Sequence, residues 1–398
     1  MSVFNSLGSN YGFPFVLRAL LSKGSDKDSK NLRLILEKEY GGKAILLQKG
    51  RQAITLAFQS LNLPKGSLVG VNGFTCFAVF QAIKEAGHKP IYFDVEKRAL
   101  NFSTETVKSK KLKNLKVLIV QNTLGIPCDI DGIKNFCSEN RILLIEDLAH
   151  CAGGSYLNGK QMGTIGDFIV LSFGQDKIID SVSGGALIIR NTNYANRIIE
   201  ENLSSVTFVT QIKDKFYPLF SFLVRKTYSF GLGKGLHFLF RVLHFLSQSV
   251  SSGQAEPHKL TIWQANLAKE CIKNLNQNID HRRKISSVYS KKLPQKIVSS
   301  DFVRSLDFST NLRFPIFVKN RKSLISYLKQ KGIYVSDIWY DAPVAPKKYL
   351  QLTDYREKTC PNAEKVSREI LNLPTHINVS EENAEFISES INLWLKSQ

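Results

Sequence analysis

The sequence predicts an α/β fold: a large domain built on a mostly parallel sheet, followed by a smaller C-terminal α/β domain. Three observations carry this. Short apolar runs recur between positions 44 and 189 with no polar alternation. Helical stretches separate most of those runs. Helix and strand patterns then resume after residue 259. A strand that is apolar on both faces needs cover on both, and helices returning between parallel strands supply it.

The elements follow in order. Ala44–Gln48 reads as a buried strand and Gln52–Phe58 as the helix after it. Leu68–Val71 is a short strand, and Phe77–Ala86 a helix ended by Gly87. Pro90–Phe93 and Lys116–Val120 are strands. The helix Ile130–Asn140 opens on Asp129 or Asp131, either of which supplies an N-cap carboxylate, and the strand Arg141–Ile145 follows. Phe168–Ser172 and Gly185–Ile189 are two strands with a short connection, which implies a hairpin-like or mixed region at one side of the sheet. In such a sheet, functional groups gather at the carboxyl ends of the strands.

Residues 205–258 break the pattern with a run of Phe and Tyr interspersed with Arg225, Lys226, Lys234 and Arg241. Between Leu236 and Gln248, the polar residues His237, Arg241, His244 and Gln248 form one helical stripe in an otherwise apolar segment. Two readings stand: a helix pair packed on the large domain or a partner subunit, or an interfacial segment lying on an anionic membrane. Beyond it, Trp263–Leu275, Leu312–Val318, Lys322–Gln330 and Glu381–Leu395 outline the smaller domain. The expected division is an N-terminal arm at 1–36, a large domain at 37–204, a helical insertion at 205–258 and a small domain at 259–398.

Charge and cysteine usage narrow the function. Lys plus Arg number 54 against 34 for Asp plus Glu, a formal net charge of +20. The basic residues are spread along the chain, with no RNP-like motif and no finger spacing, which argues against nucleic acid. Phosphorylated small molecules or an anionic membrane remain as partners. Cysteines 76, 128, 137, 151, 271 and 360 form no CxxC pair and no metal-ligand spacing, and they sit among apolar residues. A reduced, cytoplasmic protein with no structural metal is expected, with peripheral contact at the inner membrane face as the variant the 205–258 segment allows. The start lacks the basic region of a signal peptide. The aromatic run Phe216–Val224 falls far short of the roughly 20 residues a spanning helix needs.

Two glycine motifs fail on context. Gly154–Lys160 fits the first seven positions of a phosphate-binding loop, but Gln161 stands where a Ser or Thr is required and no helix pattern follows, so a turn is expected. Gly231-Leu-Gly233-Lys-Gly235 has no strand before it and no carboxylate at the right distance after it. A stronger constellation lies elsewhere. Glu146 and Asp147 end a strand, with His150 three residues on; Ser172 ends the next strand and Lys177 follows; Gly184 and Gly185 give backbone clearance. A pyridoxal phosphate site needs a lysine for the cofactor's aldehyde, a carboxylate for its ring nitrogen, and hydroxyl, backbone or basic groups for its phosphate.

The stretch Glu146-Asp-Leu-Ala-His, Gly163-Thr-Ile-Gly-Asp, Ser172-Phe-Gly-Gln-Asp-Lys177 and Gly184-Gly-Ala resembles the DegT-type sugar aminotransferases, pyridoxal-phosphate-dependent enzymes of fold type I. The similarity runs from about Glu37 to the C-terminus. It includes Gly50-Arg-Gln-Ala-Ile, Phe74-Thr-Cys76, Ala86-Gly87, Pro90 and Asp94, then Trp263-Gln-Ala-Asn, Arg282-Arg283 and Leu373-Pro-Thr-His376. The resemblance implies that Lys177 forms the Schiff base and afterwards moves the proton between substrate and cofactor. It implies that Asp147 pairs with the ring nitrogen, that His150 contacts the ring or its 3′-oxygen, and that Ser172 binds the phosphate with the backbone of Gly50 and Arg51. A packed, structural His150 is the alternative.

Arg51 stands where the family commonly has a small residue, and Cys76 where many relatives place an aromatic ring over the cofactor. Stacking is then expected from Phe74 or Phe77. The family's Asn-rich segment, which reaches the neighbouring subunit's phosphate, is replaced by 205–258. Arg313 and His376 are candidate substrate contacts. By resemblance, the enzyme moves an amino group from an amino acid, glutamate, to a nucleotide-linked keto-sugar in surface polysaccharide or amino-sugar biosynthesis, and acts as a homodimer. Two rivals are a sugar dehydratase of the same fold, which carries His in place of the lysine, and a non-catalytic relative with a regulatory or assembly role.

Overall fold

The computed structural model describes residues 2–110, 112–246, 250, 256–336 and 340–398. Its centre is a sheet of seven main strands: β1 (Lys43–Leu47), β2 (Leu68–Asn72), β3 (Lys89–Phe93), β4 (Leu115–Val120), β5 (Leu143–Asp147), β6 (Phe168–Ser172) and β7 (Gly185–Ile189). They lie in the order β1-β7-β6-β5-β4-β2-β3, and two short pairs at 204–205 and 258–259 extend the β1 edge. The strands β3, β2, β4, β5 and β6 run parallel, while β7 runs antiparallel to both β6 and β1. The mixed region expected at one side of the sheet is this β6-β7-β1 corner.

Alternate residues of each strand feed two separate cores. Ile45, Leu47, Val117, Ile119, Val170 and Leu187 face one layer. Ala44, Leu46, Leu118, Val120, Leu171 and Ala186 face the other. That is why the strands lack polar alternation: burial of each such aliphatic side chain contributes about 1.5–3 kcal/mol, and here both faces are available for it.

The first part of the chain also carries four helices: α1 (Phe13–Leu21), α2 (Asp26–Tyr40), α3 (Gly50–Leu61) and α4 (Phe77–Glu85). Residues 2–25 are tied down at both ends. Val3 and Phe4 pair in parallel with Ile333 and Tyr334, and α1 packs on the helical insertion. That insertion holds α5 (Phe208–Thr227) and α6 (Leu232–Val242), with Pro218 inside the former. The helix expected at 236–248 therefore starts and stops earlier. Gly233 lets α6 begin against α5, since a Cβ there would lie 2.4 Å from the Val224 carbonyl oxygen. Past Val242, His244 adopts φ 57° and ends the run. Gln248, the last residue of the polar stripe, lies outside the described residues.

The chain continues through α7 (Ile262–Lys273), which packs on α2, and α8 (Leu275–Lys292). Strands Phe314–Phe317 and Ile370–Leu373 then pair antiparallel beside helices 321–330 and 381–396. The segment 154–161 is a tight turn closed by a Ser155–Gln161 bridge, as its failure to fit a nucleotide loop predicts.

Candidate active site

Adjacent residues of a strand point to opposite faces, and this separates two neighbouring carboxylates at the end of β5. Glu146 turns toward the loop 156–166. It accepts hydrogen bonds from Tyr156 Oη at 2.7 Å and from the amides of Gly163, Ile165 and Gly166 at 2.9, 2.9 and 2.6 Å. Its capacity is spent on holding a loop. Asp147 turns the other way, and its carboxylate accepts from the Ala149 amide at 3.1 Å and Gln121 Nε2 at 3.3 Å. Gln121 is itself fixed by Thr75, whose hydroxyl donates to Oε1 at 2.5 Å.

Lys177 comes from the loop between β6 and β7. Burial lowers its pKa, and the neighbouring Cys76 and Asp147 oppose that shift. Burial likewise raises the Asp147 carboxyl, against the Ala149 amide and the Lys177 charge. It raises the Cys76 thiol too, against the Ala78 amide and Lys177. These three groups therefore form one electrostatic cluster. Lys177, Cys76, Ser172 and Gly50 keep partial solvent exposure, whereas Phe74, Thr75, Asp147 and Phe173 around them are buried, so the cluster opens outward.

Close backbone approach joins the start of α3 to the end of β6. A Cβ on Gly50 would lie 2.8 Å from Ser172 Cβ, and one on Gly185 would lie 2.7 Å from the Gly50 nitrogen. The N-terminus of α3 is thereby pressed against the end of β6, with the Ser172 hydroxyl beside its first turn. The leading amides of a helix have no carbonyl partner within it and carry the positive end of its dipole. The Arg51 guanidinium donates to Gln81 Oε1 at 2.9 Å, toward α4.

His150 accepts a hydrogen bond from the Leu124 amide at Nδ1, 3.2 Å away. Burial, Lys177 and Arg313 hold its pKa well below the ordinary value, so the ring is neutral with its proton on Nε2. Phe74 is fully buried with its ring 4.6 Å from that of Tyr340. Phe77 stacks on Tyr349 at 4.7 Å. Both rings named as stacking candidates are thus engaged in the aromatic core. His376 bonds the Phe4 carbonyl through Nε2 at 2.7 Å and receives the Asn378 amide at Nδ1, so it fastens the N-terminal strand. Arg313 donates to the Asn5 carbonyl at 3.0 Å and still influences Lys177 and His150.

Two contributors had no sequence signal. Tyr340 is carried to the site because Val344–Ala345 pairs in parallel with Thr75–Cys76. Its ring meets His150 edge-on at 6.1 Å, and burial, Cys76 and Asp147 push its hydroxyl well above the usual range. The second is the segment Gly8–Tyr11, which clasps the lysine loop. Asn10 Nδ2 donates to the Lys177 carbonyl at 3.1 Å and to Asp180 Oδ2 at 3.0 Å, and Tyr11 Oη donates to Asp180 Oδ1 at 2.9 Å. Ser9 Oγ donates to Asp176 Oδ1 at 2.8 Å. Asp180 also accepts from the amides of Asp176 and Val182, and burial beside Asp176 raises it to about 7. No local pattern could link residues 167 positions apart.

Comparison with known proteins places this arrangement. Residues 38–392 match the DegT/DnrJ/EryC1/StrS aminotransferase family. A pleiotropic regulatory protein of Geobacillus stearothermophilus is 24% identical over 350 residues, 86% of this chain and 82% of the relative. GDP-perosamine synthase of Escherichia coli O157:H7 is 23% identical over 361 residues, 88% of this chain and 85% of the relative. The fold matches Helicobacter pylori PseC, an aminotransferase involved in the biosynthesis of pseudoaminic acid, with a TM-score of 0.76 at 16% identity over the whole of both chains. With its fold-type-I sheet, the chain belongs to the DegT/DnrJ/EryC1/StrS aminotransferase family, whose enzymes use pyridoxal 5′-phosphate.

Proposed function

We propose that this enzyme transfers an amino group from glutamate to a nucleotide-linked keto-sugar in amino-sugar or surface-polysaccharide biosynthesis, with Lys177 and Asp147 as the catalytic pair. The observation that carries the reading is the single cluster of Lys177, Asp147 and Cys76 at the open carboxyl end of the sheet. The donor set fits pyridoxal phosphate: an amine, a buried carboxylate and a hydroxyl at a helix N-terminus, in the roles that cofactor requires. When bound, the cofactor supplies an electron sink for the carbon that gives or receives the amine.

The chain's own residues do the rest. Burial favours the uncharged Lys177 amine, which is the form able to accept a proton. Asp147, kept in place by Gln121 and the Ala149 amide, would hold a proton on the ring nitrogen by ion pairing. Neutral His150 offers Nε2–H as a donor. Ser172 and the amides of Gly50 and Arg51 would hold the phosphate, with Cys76 and Phe74 shaping the wall between them. The names of the Escherichia and Helicobacter relatives support a sugar acceptor, and the net charge of +20 suits a nucleoside diphosphate carrier. A homodimer is the assembly this reading expects.

A non-catalytic role is the reading that the name of the Geobacillus relative favours. One experiment separates the two. The protein loaded with pyridoxal phosphate is reduced with borohydride, digested and weighed, and glutamate-dependent amination of nucleotide keto-sugars is followed in parallel. A pyridoxyl mass on Lys177 together with turnover supports the proposal. The label without turnover on any keto-sugar supports the regulatory role, and no label at Lys177 removes the catalytic assignment.

A further inference from the structure

We propose that the face formed by α1, α5 and α6 docks on an anionic phospholipid surface. The inference rests on the surface alone and is independent of the transaminase reading.

Each helix turns an apolar stripe to solvent. On α1 it is Phe13, Leu17 and Leu21, spaced at i, i+4 and i+8, with Leu21 74% exposed. On α5 it is Phe208, Val209, Ile212, Phe216 and Leu223, all exposed. At 100° per residue these five positions fall within about 100° of one another, so they form one line along the helix. On α6 the outward side carries Leu232, Phe238, Leu239 and Val242, and Phe230 just before it is 84% exposed. The three helices adjoin: α1 and α6 each pack on α5, and the Phe13 ring lies 6.2 Å from that of Phe222.

The opposite side of α6 is apolar as well. Phe240, and Phe245 just past the end of the helix, pack on Phe220 at 4.4 and 4.9 Å. Between the two apolar sides runs a polar band of Lys234, His237 and Arg241, which borders a surface groove with Phe238 and Val242. A helix that is apolar on both sides is covered on both in a stable assembly. Here the protein covers one.

Charge identifies what covers the other. From Asn202 to Ala255 the only acidic residue is Asp214, and residues 2–25 contain none. Asp214 is buried on the inner side, bonded to Gln48 and Gln264. Arg18, Lys23, Lys226, Lys234 and Arg241 are exposed around the stripes. A second copy of this face, brought up by two-fold symmetry, would set cations against cations with no carboxylate to pair them. A lipid headgroup layer offers phosphates for the basic band and acyl chains for the exposed Phe and Leu side chains, which is how an interfacial helix is held. Among the described residues no helix is long and apolar enough to cross a membrane, so the contact is one of helices lying flat.

The test uses the full-length, cofactor-loaded protein with vesicles of phosphatidylcholine, alone or mixed with phosphatidylglycerol. Cosedimentation with the mixed vesicles is expected, falling about tenfold with phosphatidylcholine alone or at about 0.5 M salt. The triple variant Lys226→Glu, Lys234→Glu, Arg241→Glu and the double variant Phe230→Ser, Phe238→Ser should each lose a similar factor while keeping their circular dichroism and bound cofactor. Arg225 is spared because its guanidinium donates to the Tyr11 carbonyl. Wild-type protein that stays in the supernatant overturns the proposal, as does vesicle binding that neither variant weakens. If instead the double variant splits a dimer in sedimentation without vesicles, the face belongs to a second copy and the lipid assignment fails.

Discussion

The lysine cluster and the α5–α6 pair both place charged groups against apolar surroundings, but they treat those charges oppositely. At the sheet end, Lys177 and Asp147 are drawn into the interior and shift each other's protonation. On the helical face, Lys226, Lys234 and Arg241 stay in solvent while Phe and Leu side chains are exposed beside them. A charge withdrawn from water gains reactivity and costs stability, whereas a solvated charge costs little and serves to attract. The first arrangement suits chemistry on one small molecule, the second adhesion to a broad surface.

Substitutions at the two regions can break that contrast, beginning with the largest effect. Lys177→Ala should cut amine transfer by about 10³- to 10⁴-fold in steady-state assays, since on the proposed reading it removes both the attachment point and the proton carrier. Its thermal midpoint should stay close to that of wild type, because burial already works against the charged form of this side chain. A large loss of stability in this variant would reassign Lys177 to the scaffold.

The two sides of the insertion should part company next. Phe220→Ala deletes the ring that meets Phe240 and Phe245, and should cost about 3 kcal/mol in denaturant unfolding. Phe238→Ser, on the outer side, should stay within about 0.5 kcal/mol of wild type without vesicles. Equal losses would mean that the outer stripe is already covered.

Asp214 anchors the insertion to the sheet edge and supplies a pH test. Burial raises its carboxyl from 3.8 to about 6, so between those values the folded chain holds a proton that the unfolded chain has released. Its contribution is complete below about pH 4 and is lost as pH rises through about 6. Asp214→Asn has no proton to lose. Its stability relative to wild type should therefore improve by up to about 3 kcal/mol between pH 4 and 7. A flat difference across that range would show that Asp214 is ionised in the fold.

A smaller loss than that of Phe220→Ala is expected at the clasp. Asn10→Ala removes the donor shared by the Lys177 carbonyl and Asp180, and should cost about 1–2 kcal/mol. A positioning role predicts more than that: the pH at which the Lys177 amine becomes reactive toward acylating reagents should move, while the reactivity of exposed lysines should not. Unchanged Lys177 reactivity would leave Asn10 a purely structural residue.

Much of the central sheet and its helices was legible because their signals are local. Apolar runs over 44–47 and 185–189 are strands buried on both faces, and Asp129 caps its helix as expected, accepting the Gly132 amide. The failure of Gly154–Lys160 as a nucleotide loop was equally visible in Gln161 and the missing helix. Arg51 shows where such reading stops. A lone arginine at a phosphate turn can face the anion or another helix, and only the packing of α3 beside α4 turns it to Gln81. The insertion illustrates the same limit: its composition allows buried packing or an exposed face, and the fold realises both on the two sides of α6.

By itself the sequence determined the strand and helix periods, the family, and the chemical types offered at the sheet end, because each is written within a few consecutive residues. Only the tertiary structure decided that Glu146 holds a loop while Asp147 faces the lysine, that Tyr340 arrives from the far end of the chain, and that Gly8–Tyr11 fastens the Lys177 loop. Contacts between residues so distant along the chain are set by closure of the whole sheet and its covering helices, and no local period encodes them.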